Sequence, residues 1–246
     1  MPFTPLSSSE HSDLRLTRGT FFHFQERAVI AVSVVEAPRA ALDLPLAFAE
    51  TQKGLSLVAV LSLKQGENAQ IGPKGLWMGG YMPALIAAYP FAMVVKEGKA
   101  TLVVDTDSDW LSRTEGQPLF EGGGNPSKGM NRIMDLLKNR VPNPNRDNPV
   151  LQAIEQSNIL EPWSEVSENL LRVSPRKLPE LDDQAFLGLR RKGALSVLYA
   201  QIMSTARVNR IQNLAKRKEQ MAQNQPEDVD LDLDKLFGDD DLIKFD

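Results

Sequence analysis

The apolar runs of this chain are short, rich in β-branched residues, and closed by proline, glycine or charge before they grow long. AVIAVSVV (28–35) is stopped by Pro38, while LPLAFA (44–49), LSLVAVLSL (55–63), FAMVV (91–95) and ATLVV (100–104) are punctuated by turns such as KQGEN (64–68) and KEGK (96–99). Runs of this length between turn residues read as strands, and short Gly-containing connections join neighbours as antiparallel hairpins. In 55–63, Leu57, Ala59, Leu61 and Leu63 alternate onto one face. A further strand is expected over 167–173.

Helical spacing appears where the strand pattern stops. Pro83 opens a short helix with Leu85, Ile86 and Tyr89 on one face, and Pro90 closes it; proline is tolerated in a first turn because its missing N–H would be unpaired there anyway. Residues 130–140 (MNRIMDLLKNR) place Ile133, Leu136 and Leu137 on one side, the string VPNPNRDNP (141–149) reads as a linker, and 150–160 as another helix. After Asp182 or Asp183 as an N-cap, Phe186 and Leu189 form an apolar face, Gly193 marks a break, and a long helix carries Leu195, Leu198, Tyr199, Ile202, Met203, Ile211 and Leu214. The expected fold class is α+β: a mostly antiparallel β core with C-terminal helices and a disordered acidic tail. The expected division is a loose N-terminal arm over 1–24, one α+β domain over 25–215 with a sub-boundary at 141–149, and a basic helix end with a docking tail over 216–246.

The chain has 246 residues and no cysteine, which excludes disulfides, thiolate zinc sites and cysteine nucleophiles; its two histidines are His11 and His23. No signal-like start and no membrane-length apolar run is present, so a cytoplasmic location is expected. The net charge of -4 is uneven: from Glu227 onward nine acids face Lys235 and Lys244, a net of -7, leaving +3 for everything before.

Four groups of residues invite chemistry, each beside a plainer explanation. EGGGNPSKG (121–129) opens a helix as phosphate-binding loops do, but Lys128 is followed by Gly129, which departs from the Walker pattern. Asp105, Asp107 and Asp109 alternate like the start of a calcium loop, yet Trp110 stands at the sixth place and Gly116 at the twelfth, so a strand-end turn is expected and no metal. Trp77, Tyr81, Tyr89 and Phe91 concentrate aromatics in a chain with 7% of them, as a ligand groove or, alternatively, a core. Arg190, Arg191, Lys192, Arg207, Arg210, Lys216, Arg217 and Lys218 make the C-terminal helices basic, either as a nucleic-acid surface or as a solvated face. His23, between Phe22 and Phe24, reads as structural. No cofactor is expected.

EAPRAALDLPLAF (36–48), GLWMGGYMPALIAAYPF (75–91), DTDSDWLSRTEGQPLF (105–120) and LPELDDQAFLGLRRKGALSVLYAQIMS (178–204), in this order, resemble the SapC-like family of bacterial and phage proteins, over roughly residues 28–210. The family's W-x-x-Y-x-P and Y-P-F positions are matched by Trp77, Tyr81, Pro83, Tyr89, Pro90 and Phe91, although the chain departs from the pattern at 121–129 and after Leu214. The resemblance implies no enzyme activity and no catalytic residues to carry over.

The tail, EDVDLDLDKLFGDDDLIKFD (227–246), alternates acids with Leu233, Leu236, Phe237, Leu242, Ile243 and Phe245. Solubility alone requires charge but not these apolar side chains, so the tail is read as a docking element for a partner protein. The function expected is that of a non-enzymatic binding or adaptor protein, in a phage or bacterial nucleic-acid-handling assembly. The alternatives are a single-stranded DNA-binding protein with an autoinhibitory tail and a small-molecule or metal-dependent enzyme using 77–91.

Overall fold

The computed structural model describes residues 3–96, 99–139, 141 and 148–223. In chain order the elements are β1 (Phe3–Pro5), α1 (Ser8–His11), β2 (Arg15–Leu16), β3 (Val29–Ala31), α2 (Ala37–Ala40), β4 (Leu46–Thr51), β5 (Gly54–Val60), α3 (Ala84–Ala87), β6 (Phe91–Lys96) and β7 (Lys99–Asp105). There follow β8 (Leu111–Ser112), β9 (Gln117–Pro118), β10 (Phe120–Glu121), β11 (Asn125–Pro126), α4 (Lys128–Asn139), α5 (Pro149–Gln156), β12 (Leu160–Trp163), β13 (Ser167–Val173), α6 (Asp183–Arg191), α7 (Leu195–Ser204) and α8 (Val208–Gln223). The fold is α+β, and every strand pairing among the described residues is antiparallel.

The central sheet runs β12-β13-β4-β5-β3. Its two middle strands are buried on both sides, which explains why their sequences read as near-continuous apolar runs. Period-two alternation sends Leu46, Phe48, Leu57, Ala59 and Leu61 into one core with α2, α5, α6 and α7. The intervening Ala47, Val58 and Val60 enter a second core with Trp163, Leu170 and, from α8, Ile211 and Leu214. Leu63, expected on the face of Leu57, instead packs beside this second cluster.

A smaller core unites Leu14, Ala88, Phe91, Val104, Leu119, Met130 and Leu137 around the β1-β7-β6 sheet and α4. The expected loose arm is corrected here. β1 pairs with β7 (Thr4↔Val104), β2 lies between β8 and β9, and Leu14 and Phe21 are buried. Its strands are too short and too polar to announce themselves, because their order comes from partners about a hundred residues away. The 141–149 segment, whose residues 142–147 lie outside those described, connects α4 in the small core to α5 on the large one. It is not a simple boundary, since residues 3–20 belong to the same small lobe as 88–141.

At the C-terminus Asp182 caps α6, its carboxylate accepting from Ala185 N–H at 2.8 Å. Gly193 ends that helix at φ +76°, a backbone conformation that disfavours a side chain. The expected long helix after it is interrupted by a 3-10 turn at Thr205–Arg207, with right-handed helical dihedrals on either side. Among the described residues no helix is long and apolar enough to cross a membrane.

Candidate functional site: an aromatic and carboxylate joint between two lobes

The two lobes meet along the segments that carry the aromatic and acidic motifs. Phe21 packs edge-on against Trp110 and Trp77, with ring centroids 5.0 and 6.2 Å away. Trp110 Nε1–H donates to the Thr20 carbonyl at 2.8 Å, and Asp109 Oδ2 accepts from both the N–H and the hydroxyl of Thr20 at 2.8 and 2.9 Å. Gly19 fits beside this tryptophan only without a side chain, because a Cβ would lie 2.2 Å from Trp110 Cδ1.

Two buried carboxylates organise the rest. Asp105, 1% exposed, accepts the Tyr89 hydroxyl at 3.0 Å and the Asp107 N–H at 3.3 Å. Glu36, 2% exposed, receives four donors: Tyr81 O–H and Ala84 N–H at 2.8 Å on Oε1, and Ser33 N–H and O–H at 3.1 and 3.3 Å on Oε2. It thereby ties the start of α2 to the start of α3, two segments separated by the β4–β5 hairpin. Glu36 opens the motif at 36–48, and its one signal in the sequence is that of a lone acid following an apolar stretch.

His23 stacks on Tyr89 with centroids 3.6 Å apart, and its buried Nε2 has no hydrogen-bond partner. Burial lowers its pKa from the ordinary histidine value, with Asp109 and Asp105 opposing that shift. Burial pushes the Tyr89 phenol up to about 12. The linkage signs follow. Neutral His23 contributes stability that is present above about pH 6.5 and is lost as pH falls through its lowered folded value. Protonated Tyr89 contributes stability that is full below about pH 10 and lost as pH rises through about 12. Equilibrium unfolding across pH should therefore show both flanks, with Tyr89→Phe losing the alkaline one; a Tyr89→Phe profile that keeps the alkaline flank would contradict this assignment.

Of the four aromatic groove candidates, Trp77 and Tyr81 are half-buried against the large core, Tyr89 stands in the joint, and Phe91 is 3% exposed in the small core. They do not line one groove. The Trp77 Nε1 and the Gln70 amide are buried without hydrogen-bond partners. A cleft of about 400 Å³ is lined by Phe22, His23, Gln25, Glu26 and Arg27, so that it shares His23 with the joint.

The remaining candidates resolve as follows. Asp105 and Asp109 are occupied by Tyr89 and Thr20, and no group of three or more acids or histidines among the described residues is placed to hold a metal. At the start of α4 the Lys128 N–H points to Glu121 at 3.4 Å and the Ser127 hydroxyl accepts from Met130 N–H, so an acid of the chain itself faces the amide where a phosphate would sit. Arg210 pairs with Asp43 at 2.6 Å, and Lys218 with Glu67 at 3.3 Å and the Asn68 carbonyl at 3.1 Å. Arg190, Arg191, Lys192, Arg207, Lys216 and Arg217 are exposed. The tail candidates Leu233, Leu236, Phe237, Leu242, Ile243 and Phe245 lie outside the described residues.

No curated protein and no solved structure matches this chain. The SapC family model matches residues 6–211, which spans all four motifs, both lobes and the joint, and reaches further toward the N-terminus than the motifs alone indicate. With the match covering most of the chain, and ending three residues before the last buried leucine of α8, the chain belongs to the SapC family.

Proposed function

We propose that this protein is a non-enzymatic binding or adaptor protein whose folded body carries an acidic and apolar tail to a partner protein. The observation that carries the reading is the tail itself: seven apolar side chains from Leu231 to Phe245 set among acids, beyond the end of the family match at residue 211. Acids supply long-range attraction to a basic surface, and Phe237 and Phe245 supply anchors that solubility alone would not need. The joint supports this reading from the other side. Glu36, Asp105 and Asp109 each accept two or more donors from the chain itself, which suits carboxylates with a structural task within each lobe.

Deleting residues 227–246 is expected to abolish co-purification of the partner and to leave the melting temperature of the body unchanged within about 1 °C, because the segment lies beyond the family match that ends at residue 211. Affinity capture followed by thermal unfolding checks both halves, and an unchanged set of captured proteins would sink the reading.

A further inference from the structure

Where α1 runs into β2, the small lobe holds another cleft, of about 340 Å³. Two stretches about a hundred residues apart line it, because β2 pairs with β8 (Arg15↔Ser112, Leu16↔Leu111). Leu14 and Leu111 give it an apolar wall, and Glu10 and Arg113 give it charges of both signs. His11 lines it as well and is 7% exposed. Its Nδ1 accepts from the Ser7 N–H at 3.2 Å. The Ser7 carbonyl, at the same distance from Nδ1, already receives the His11 N–H at 3.0 Å. The acceptor role therefore falls to Nδ1 and the ring hydrogen to Nε2. Nε2 has no partner among the described residues, yet it is not sealed away as His23 Nε2 is. A buried ring thus opens its one free donor on the cleft that it lines.

We propose that this cleft binds a free α-amino acid with an aliphatic side chain: the carboxylate on His11 Nε2–H and Arg113, the ammonium on Glu10, and the side chain against Leu14 and Leu111. Donors for the carboxylate are in place. Arg113 meets Asp13 through Nη1 alone, which leaves its other N–H groups for a second carboxylate. Ser112 Oγ accepts from the Thr114 and Glu115 N–H groups at 3.2 and 3.1 Å, so toward the cleft its hydroxyl can only donate. Glu10 decides between a plain anion and a zwitterion. Its carboxylate pairs with none of the described cations, and beside a phosphate it would add repulsion, whereas beside an ammonium it adds attraction. The volume lies at the small end of ligand pockets, which run from about 300 to 1,000 Å³. The lining residues all fall within the family match at 6–211.

The test is a titration of the isotope-labelled full chain with L-leucine, followed by amide signals. Three further probes separate the charges: 4-methylpentanoate lacks the ammonium, 3-methylbutylamine lacks the carboxylate, and inorganic phosphate is an anion alone. Leucine should shift the signals of residues 10–14, 106 and 111–113 saturably, and each of the other probes should bind about tenfold more weakly or less. Glu10→Gln should weaken leucine about tenfold without weakening 4-methylpentanoate, and Arg113→Gln should weaken both. Both residues are exposed, so these variants fold. His11→Asn keeps an acceptor for Ser7 and loses the Nε2 donor; it should also weaken leucine, and its melting temperature shows whether the lobe is intact. No saturable shift at these residues would overturn the proposal. So would phosphate or 4-methylpentanoate binding as tightly as leucine, or an unchanged leucine affinity in Glu10→Gln. The titration needs neither tail nor partner, so it is decided apart from the adaptor reading.

Discussion

Glu36→Ala is expected to destabilise the protein by about 3–5 kcal/mol, corresponding to a fall in Tm of roughly 6–20 °C for a chain of this size. The side chain takes four donors at 2% exposure, and its removal leaves the Ala84 and Ser33 amides and the Tyr81 hydroxyl facing a cavity. Each buried group so orphaned costs about 1–3 kcal/mol. Tyr81→Phe removes only one of those bonds, from a half-buried site, and should cost about 1 kcal/mol. Chemical denaturation of the two single variants and the double variant completes a cycle. Because both act through one hydrogen bond, the double variant should lose less than the sum. A loss below about 1 kcal/mol for Glu36→Ala would show that water replaces the carboxylate and that Glu36 does not join α2 to α3.

Phe48→Ala should cost a similar amount, about 3–5 kcal/mol, for an apolar reason. Phe48 is fully buried, lies opposite Leu57 in β5, and forms with Leu171 the sole registered pair between β4 and β13. Truncation therefore opens a cavity where the outer hairpin β12–β13 joins the rest of the sheet. Phe48→Leu, which keeps more of the volume, should lose less than half as much. If both variants unfold at the wild-type denaturant midpoint, the sheet does not depend on this contact.

How much of this was legible depends on how local each cause is. The strand Ser167–Val173, the pairing of β6 with β7, the Asp182 cap and the Gly193 break follow from period-two patterning, two apolar runs close in sequence, a side-chain acceptor and a glycine, all of which act within a few residues. The ordered N-terminal segment was not legible, because β1 and β2 acquire their pairing from β7, β8 and β9. The 3-10 turn at Thr205–Arg207 was hidden as well: no proline or glycine marks it, and the change that it makes in helix phase is felt only when α8 lands on the second face of the sheet. At the joint, aromatic density pointed to the correct segments, but composition could not tell a ligand groove from a junction. The deciding fact was that Glu36, Asp105 and Asp109 take their donors from other parts of the chain.

The placement of β2 between β8 and β9 also bears on the order of events during synthesis. Arg15 and Leu16 leave the ribosome about a hundred residues ahead of the strand partners that flank them, which extend to Pro118. At a translation rate of about 5–20 residues per second, roughly a hundred residues correspond to a wait of about 5–20 s. β4 waits longer still for β13. For that interval the nascent chain exposes unpaired strand edges, so this protein's greatest exposure to misassembly comes before its C-terminal helices exist.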